Sequence, residues 1–225
     1  MDQKHSNWKD AIRRVVPPVV LNERGIFLRL GNPAGRLYAE LRFLDWLGFR
    51  RLNETTAPAT SRNIVFVCFG NIMRSPVAEA VLHKAIESMG LTGMQISSAG
   101  LHAVPGTPAH PWALAASQEM GISLANHRAQ VITTDIVEKA DALFTMDFQN
   151  KAEMITRFPQ AKHKILMLSG YAAGPERGRE ISDPYFGDLD TTRQCFNVIR
   201  ACALSLASAL ATREQNQSWE SGVSR

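Results

Sequence analysis

Cys68 and Arg74 bracket five residues in Val67-Cys68-Phe69-Gly70-Asn71-Ile72-Met73-Arg74-Ser75-Pro76. The chain has three cysteines and eighteen arginines, so the bare spacing arises by chance in roughly one chain in four, and its flanks must decide its meaning. Before it, Ile64-Val65-Phe66-Val67 is a short apolar, β-branched run of the kind that forms a buried parallel strand. After it, Val77, Val81, Leu82, Ala85, Ile86 and Met89 recur at helical spacing, and Gly90 is a stop signal. Gly70 and Asn71 are expected to take the left-handed backbone angles of a tight turn. A strand, tight turn and helix in that order aim backbone N–H groups into one concavity at the positive end of the helix dipole, which makes an anion site. Arg74 can grip a tetrahedral oxyanion with its planar fork. The same field favours Cys68 as a thiolate, since helix N-termini bring cysteine pKa values down to ~3.5–7.5. A nucleophile on the floor of a phosphate cradle implies phosphoryl transfer through a cysteinyl-phosphate. The plainer alternative makes Cys68 an ordinary buried thiol at a strand end and Arg74 a surface charge.

The elements that must hold this loop follow in order. Met94–Ala99 reads as a second strand, with a Pro- and Gly-rich loop from Gly100 to Pro111 at its carboxyl end, where open α/β sheets bind ligands. A helix near Trp112–Met120 is followed by a helix over Thr133–Lys139 and a third strand over Ala142–Met146. Asp147 and Asn150 read as caps of a helix running to Phe158. Lys164–Leu168 is the fourth strand. Strands alternating with helices predict an α/β fold with a four-stranded parallel sheet flanked by helices in three layers. Ser75 reads as a helix N-cap without a capping box, because Ala78 holds the third position after it and Glu79 is one further on. Asp188 and Asp190 read as caps of a last helix reaching about Leu210, with Phe196, Ile199, Ala203, Leu206 and Leu210 inward.

The motif Val-Cys-x-Gly-Asn-x-x-Arg-Ser-Pro resembles the low-molecular-weight protein tyrosine phosphatases, bacterial members in particular, over about 150 residues from Asn63 to Ala211. The resemblance implies their phosphotyrosine phosphatase I-like fold and hydrolysis of phosphotyrosine, with no metal and no organic cofactor. It implies Cys68 as nucleophile and Phe69, Gly70, Asn71, Ile72, Met73 and Ser75 as the phosphate-binding loop. Asn71, Ser75, Ser98 and His127 match a hydrogen-bond network supporting that loop. The chemistry needs a carboxylic acid to protonate the leaving phenolate and then deprotonate water. Asp183-Pro184-Tyr185-Phe186 matches the family's acid loop, with Asp183 the acid and Tyr185 and Phe186 an aromatic pocket wall. His102 is a further wall candidate, beside the alternative of a solvated loop histidine. Ile72 favours phosphotyrosine over phosphoarginine, for which the family's arginine phosphatases carry threonine. Met73 stands where relatives commonly carry a second cysteine, so a disulfide that protects the nucleophile is not available there. A bacterial tyrosine kinase of exopolysaccharide export is the protein substrate that the resemblance suggests.

The chain divides by expectation into an extension and linker (1–60), the catalytic domain (61–213) and a polar tail (214–225). Residues 1–62 carry eleven Lys/Arg against six Asp/Glu, while 63–225 carry fourteen against fifteen, so the basic character belongs to the extension and no nucleic-acid partner is expected. No run of about 18–20 apolar residues or signal peptide is evident, and an odd number of cysteines suits a reducing compartment, so the cytoplasm is the expected location. In the extension, Trp8–Val16 reads as a helix stopped by Pro17-Pro18. Val19–Leu21 and Ile26–Leu28 read as a hairpin about Asn22–Gly25. A helix follows Asn32-Pro33, with Leu37, Leu41, Leu44 and Leu47 on one face, broadened by Tyr38, Phe43, Trp46 and Phe49, and with Arg36, Arg42, Arg50 and Arg51 on the other. That helix is expected either to form an accessory layer on the domain, or to self-associate, dock a partner or touch an anionic membrane. A chain beginning near Ser61 is expected to fold and turn over small aryl phosphates unaided.

Two other functions compete. Arsenate reductases share the fold but need relay cysteines before the acid loop, whereas Cys195 and Cys202 follow it and lie two helical turns, roughly 10 Å, apart. A partner-binding regulator working through the extension would not need Cys68, Arg74 and Asp183 together.

Overall fold

In the computed structural model, which describes residues 25–49, 57–58 and 60–222, the loop of interest springs from the middle of the sheet. The elements in chain order are α1 (Ala34–Trp46), β1 (Asn63–Cys68), α2 (Arg74–Ser88), β2 (Gln95–Gly100), α3 (Pro111–Glu119), α4 (Thr134–Lys139), β3 (Ala142–Thr145), α5 (Phe148–Arg157), β4 (Ile165–Met167) and α6 (Leu189–Gly222). The strands pair in parallel in the order β2-β1-β3-β4. The chain therefore leaves β1 toward β2 and later returns to its other side, which opens a crevice at the carboxyl end of β1. The expected α/β architecture is present.

Alternation along β1 builds two cores. Ile64, Phe66 and Cys68 face α2, α3 and α6, packing with Val77, Leu82, Ala113, Phe196 and Leu206. Val65 and Val67 face α4 and α5, with Val137, Leu143 and Met154. Each wholly buried Leu, Ile or Phe contributes about 1.5–3 kcal/mol, so these two layers hold β1 firmly. Over Leu189–Thr212, α6 has the length and composition of a membrane span. Its Phe196, Ile199, Cys202, Ala203, Leu206 and Leu210 are buried in the first core, as in an ordinary core helix.

Within the extension, α1 forms an added layer. Tyr38 and Leu41 of α1 pack on Phe148 and Ala152 of α5 and on Met167 of β4. Ala57 is buried, and its N–H donates to the Tyr171 hydroxyl at 3.0 Å, so the linker is pinned to the domain there. Removing residues 1–60 would uncover this face. The ridge of Phe43, Trp46, Leu47 and Phe49 stays exposed.

Two expectations change, and others fall outside the described residues. Ile26–Leu28 lies in a helical segment, residues 25–30, rather than a hairpin strand, since a short apolar run suits either state. The Trp8–Val16 helix, Pro17-Pro18, the first hairpin strand, Arg50 and Arg51 lie outside the described residues. α6 continues to Gly222, past the expected start of the tail at 214. Arg, Glu and Gln are good helix formers and extend a helix that packing has already nucleated.

Candidate active site

The loop after β1 has its carbonyls turned outward. The Cys68 carbonyl accepts from Leu101 N–H at 3.0 Å, Phe69 from His102 N–H at 2.8 Å, and Ile72 from His110 N–H at 2.9 Å. The Asn71 carbonyl accepts from His127 Nε2–H at 2.7 Å, which fixes the histidine tautomer. With these oxygens engaged outside, the loop amides are left to face the concavity at the start of α2. The Asn71 N–H already points at Cys68 Sγ, 3.3 Å away. Asn71 alone takes the left-handed conformation expected of the turn (φ 53°), while Gly70 does not. An asparagine carries that strain more cheaply than most side chains.

Asn71 is wholly buried and its amide is fully used. Nδ2 donates to Ser75 Oγ at 2.9 Å and to Ser98 Oγ at 2.8 Å, and Oδ1 accepts from Gln130 N–H at 2.9 Å. Ser75 is not the N-cap. Met73 holds that position without a side-chain bond, and Ser75 lies in the first turn with Oγ 3.0 Å from Cys68 Sγ. Because its oxygen accepts from Asn71, its proton is available to the sulfur, the Ala99 carbonyl at 3.4 Å being the weaker acceptor. Ser98 in turn donates to Glu79 Oε2 at 2.6 Å. Burial pushes the Glu79 carboxyl up, against the Ser98 hydroxyl and the nearby His127 and His83.

Arg74 is buried at the start of α2 and joins the loop to two other segments. Nη1 donates to Asp147 Oδ2 at 2.6 Å and to the Ile181 carbonyl at 3.0 Å, and Nη2 donates to Asp183 Oδ2. Burial works against the charge, but Asp147, Asp183 and Cys68 outweigh it, so the guanidinium pKa is raised. Five N–H donors are available to arginine. Both on Nη1 and one on Nη2 are engaged, leaving Nε–H and one Nη2–H without a protein acceptor among the described residues. That is the number of donors a bidentate grip on two phosphate oxygens needs.

Asp183 is half exposed beside Arg74, and its Oδ1 accepts from Tyr185 N–H at 3.2 Å. The Tyr185 ring lies 5.6 Å from that of His110, which caps α3. Phe186 touches Tyr185 edge-on at 4.9 Å but is 96 % exposed, so of the two expected wall residues only Tyr185 is built into the site's surroundings. His102 stacks on Phe69 at 4.5 Å and pairs with Glu153 at 2.7 Å, which is more than a solvated loop histidine would do. Cys195 and Cys202 are buried in α6, with burial pushing their thiols up to about 12 and about 11. Met73 is buried in the same core cluster as Cys68.

Other residues escaped the sequence reading. Asp147 caps α5 through Oδ1 to Asn150 N–H, as expected, but also holds Arg74. Asn150 lies inside that helix instead of capping it. Gly100, read as the start of a loop, ends β2 directly beneath the turn. A Cβ there would lie 2.9 Å from both Asn71 N and Gly70 C. Gln130 and Glu79 complete the network under Asn71. Asp188 caps α6, accepting from Thr191 N–H at 2.8 Å, whereas Asp190 lies in the first turn and pairs with Arg193 instead.

Residues 63–216 match the family described as low molecular weight phosphotyrosine protein phosphatase. The chain is 34 % identical over 139 residues to a probable low molecular weight protein-tyrosine-phosphatase, EpsP, of Ralstonia nicotianae, covering 62 % of this chain and 89 % of that one. It is 33 % identical over 148 residues to a protein-arginine-phosphatase of Bacillus subtilis, covering 66 % of this chain and 96 % of the other. The crystal structure of the Erwinia amylovora tyrosine phosphatase AmsI superposes with a TM-score of 0.61 at 29 % identity, covering 67 % of this chain and 94 % of that one.

Proposed function

The chain belongs to the low molecular weight phosphotyrosine protein phosphatase family, and from that membership we propose that it hydrolyses phosphotyrosine in a protein substrate through a cysteinyl-phosphate. The observation carrying this reading is the meeting of Cys68, Arg74 and Asp183 at the carboxyl end of β1. Cys68 Sγ attacks phosphorus in line. The S–P bond forms as the bond to the phenolate oxygen breaks, and Asp183 gives that oxygen its proton. The loop amides and the two remaining Arg74 donors hold the equatorial oxygens as charge redistributes. Asp183, now a carboxylate, takes a proton from water as the water attacks phosphorus. The S–P bond breaks, inorganic phosphate leaves, and sulfur departs as a thiolate toward the Ser75 hydroxyl. Asn71, Ser98 and His127 hold the loop in shape.

Among phosphoprotein substrates, the family resemblance favours a tyrosine kinase. A partner that docks on the extension would meet the exposed ridge of Phe43, Trp46, Leu47 and Phe49. The likeness to a protein-arginine-phosphatase supports a second reading, phosphoarginine hydrolysis. Ile72 at the loop favours the tyrosine reading by filling with hydrocarbon the position where those enzymes carry threonine. The test compares kcat/KM on matched phosphotyrosine and phosphoarginine peptides. Phosphotyrosine is expected to be preferred, and Ile72→Thr to narrow the gap. A native preference for phosphoarginine overturns the substrate assignment.

A further inference from the structure

The two carboxylates that hold Arg74 are themselves braced by the extension. Asp147 immediately precedes Phe148, which is buried beneath Tyr38 and Leu41 of α1. Asp183 lies three residues after Glu180, and both carboxylate oxygens of Glu180 accept hydrogen bonds. Oε1 accepts from the Phe148 N–H at 2.9 Å, at the open end of α5, and Oε2 accepts from Arg42 Nη1 of α1 at 2.6 Å. The segment is closed by Ile181, whose N–H donates to the Met146 carbonyl at 2.8 Å and whose own carbonyl accepts from Arg74. Arg42, Glu180, the start of α5 and the acid segment thus form one bonded unit ending on Arg74. Arg42 and Glu180 are both only partly exposed, which limits solvent screening of the pair.

We propose that α1 is a built-in positioning element for the general acid, with Arg42 and Glu180 as positioning residues that hold the 180–183 segment where Asp183 reaches the leaving group. The residues matched to the family begin at 63, so Arg42 and α1 are an addition outside the shared domain, while Glu180 lies within it. The inference rests on Asp183 being the acid. The reaction needs this help because Asp183 sits on an irregular segment, between the sheet and α6, without strand pairing of its own.

The test measures kcat and KM for the full-length chain over a series of aryl phosphates with leaving groups from acidic to weakly acidic phenols. The variants are Arg42→Ala, Arg42→Lys, Glu180→Gln, the Arg42→Ala/Glu180→Gln pair, and the exposed Arg36→Ala of the same helix as control. Each is also made with Asp183→Asn. Arg42→Ala and Glu180→Gln are each expected to lower kcat/KM, which reports the step that expels the phenol, by roughly 2- to 30-fold for poor leaving groups, the range of long-range couplings, with kcat/KM for good leaving groups little changed. The double variant should lose no more than either single one, Arg42→Lys should recover part of the loss, and Arg42→Ala should add nothing to Asp183→Asn. A loss equal across the series, or none beyond that of Arg36→Ala, overturns the proposal. Should Arg42→Ala fail to fold, Arg42→Lys and Glu180→Gln carry the same comparison. Failure of the acid assignment itself reads differently, as a flat leaving-group dependence in Asp183→Asn alone.

Discussion

Asp147 holds Arg74 with the carboxylate that caps the next helix. Oδ2 accepts from Arg74 Nη1 and Oδ1 from Asn150 N–H, each at 2.6 Å. One side chain therefore fixes both the guanidinium and the α5 terminus that Glu180 also touches. Asp147→Asn keeps an acceptor for the cap but removes the charge facing Arg74. It is expected to fold with nearly the native thermal midpoint, yet to lose about 10- to 100-fold in kcat/KM and to bind inorganic phosphate more weakly as a competitive inhibitor. Asp147→Ala should also lose the cap, ~1 kcal/mol, and leave a buried arginine short of a counter-charge, at up to 3–5 kcal/mol. Unchanged phosphate inhibition in Asp147→Asn would contradict this role.

Gly100 meets the loop backbone more closely than any side chain allows, so Gly100→Ala must push on Gly70, Asn71 or Ala103. Overpacking of this kind costs ~1–3 kcal/mol of stability. The larger effect should fall on catalysis, since displacing the loop by about 1 Å can cost 10²-fold in rate. Urea unfolding and steady-state kinetics on the same preparation separate the two. Loss of stability with full activity would place the strain elsewhere.

Much of this was legible in the sequence where the information is local. The β1 run, the Gly-Asn turn and the α2 periodicity lie within 26 contiguous residues, Asn63–Ser88, and each follows from backbone preference and spacing. The partners of the loop were legible only through resemblance, because Ser98 and His127 reach Asn71 from 27 and 56 residues away. Asp147 with Arg74, at a separation of 73, and Arg42 with Glu180, at 138, depend on how the sheet and α1 are arranged, which no local pattern encodes. Ser75 misled because serine at a helix start is the usual cap, whereas here its hydroxyl is drawn inward to Cys68 and Asn71.

Glu79 should leave a mark on the pH dependence of stability. Its folded pKa is raised by burial above the ordinary unfolded value of ~4.3, so the folded chain binds more protons between those two values. Stability contributed by this group therefore falls as pH rises through that window. Glu79→Gln removes the titration, so the stability of the native chain minus that of the variant should decline across the window, measured by urea midpoints from mildly acidic to neutral pH. A difference that stays constant with pH would contradict the assignment.

The central claim is that a phosphoryl group rests on Cys68 between two steps that Asp183 assists. Replacing Asp183 by Asn removes the base for the second step, so the intermediate should accumulate with a substrate whose leaving group departs unaided. Acid quench within one turnover, digestion and mass mapping measure it directly. The account predicts one added phosphoryl group on the peptide carrying Cys68, and none in the Cys68→Ser/Asp183→Asn double variant under the same quench. Turnover without any adduct, or an adduct on a different residue, would contradict the account.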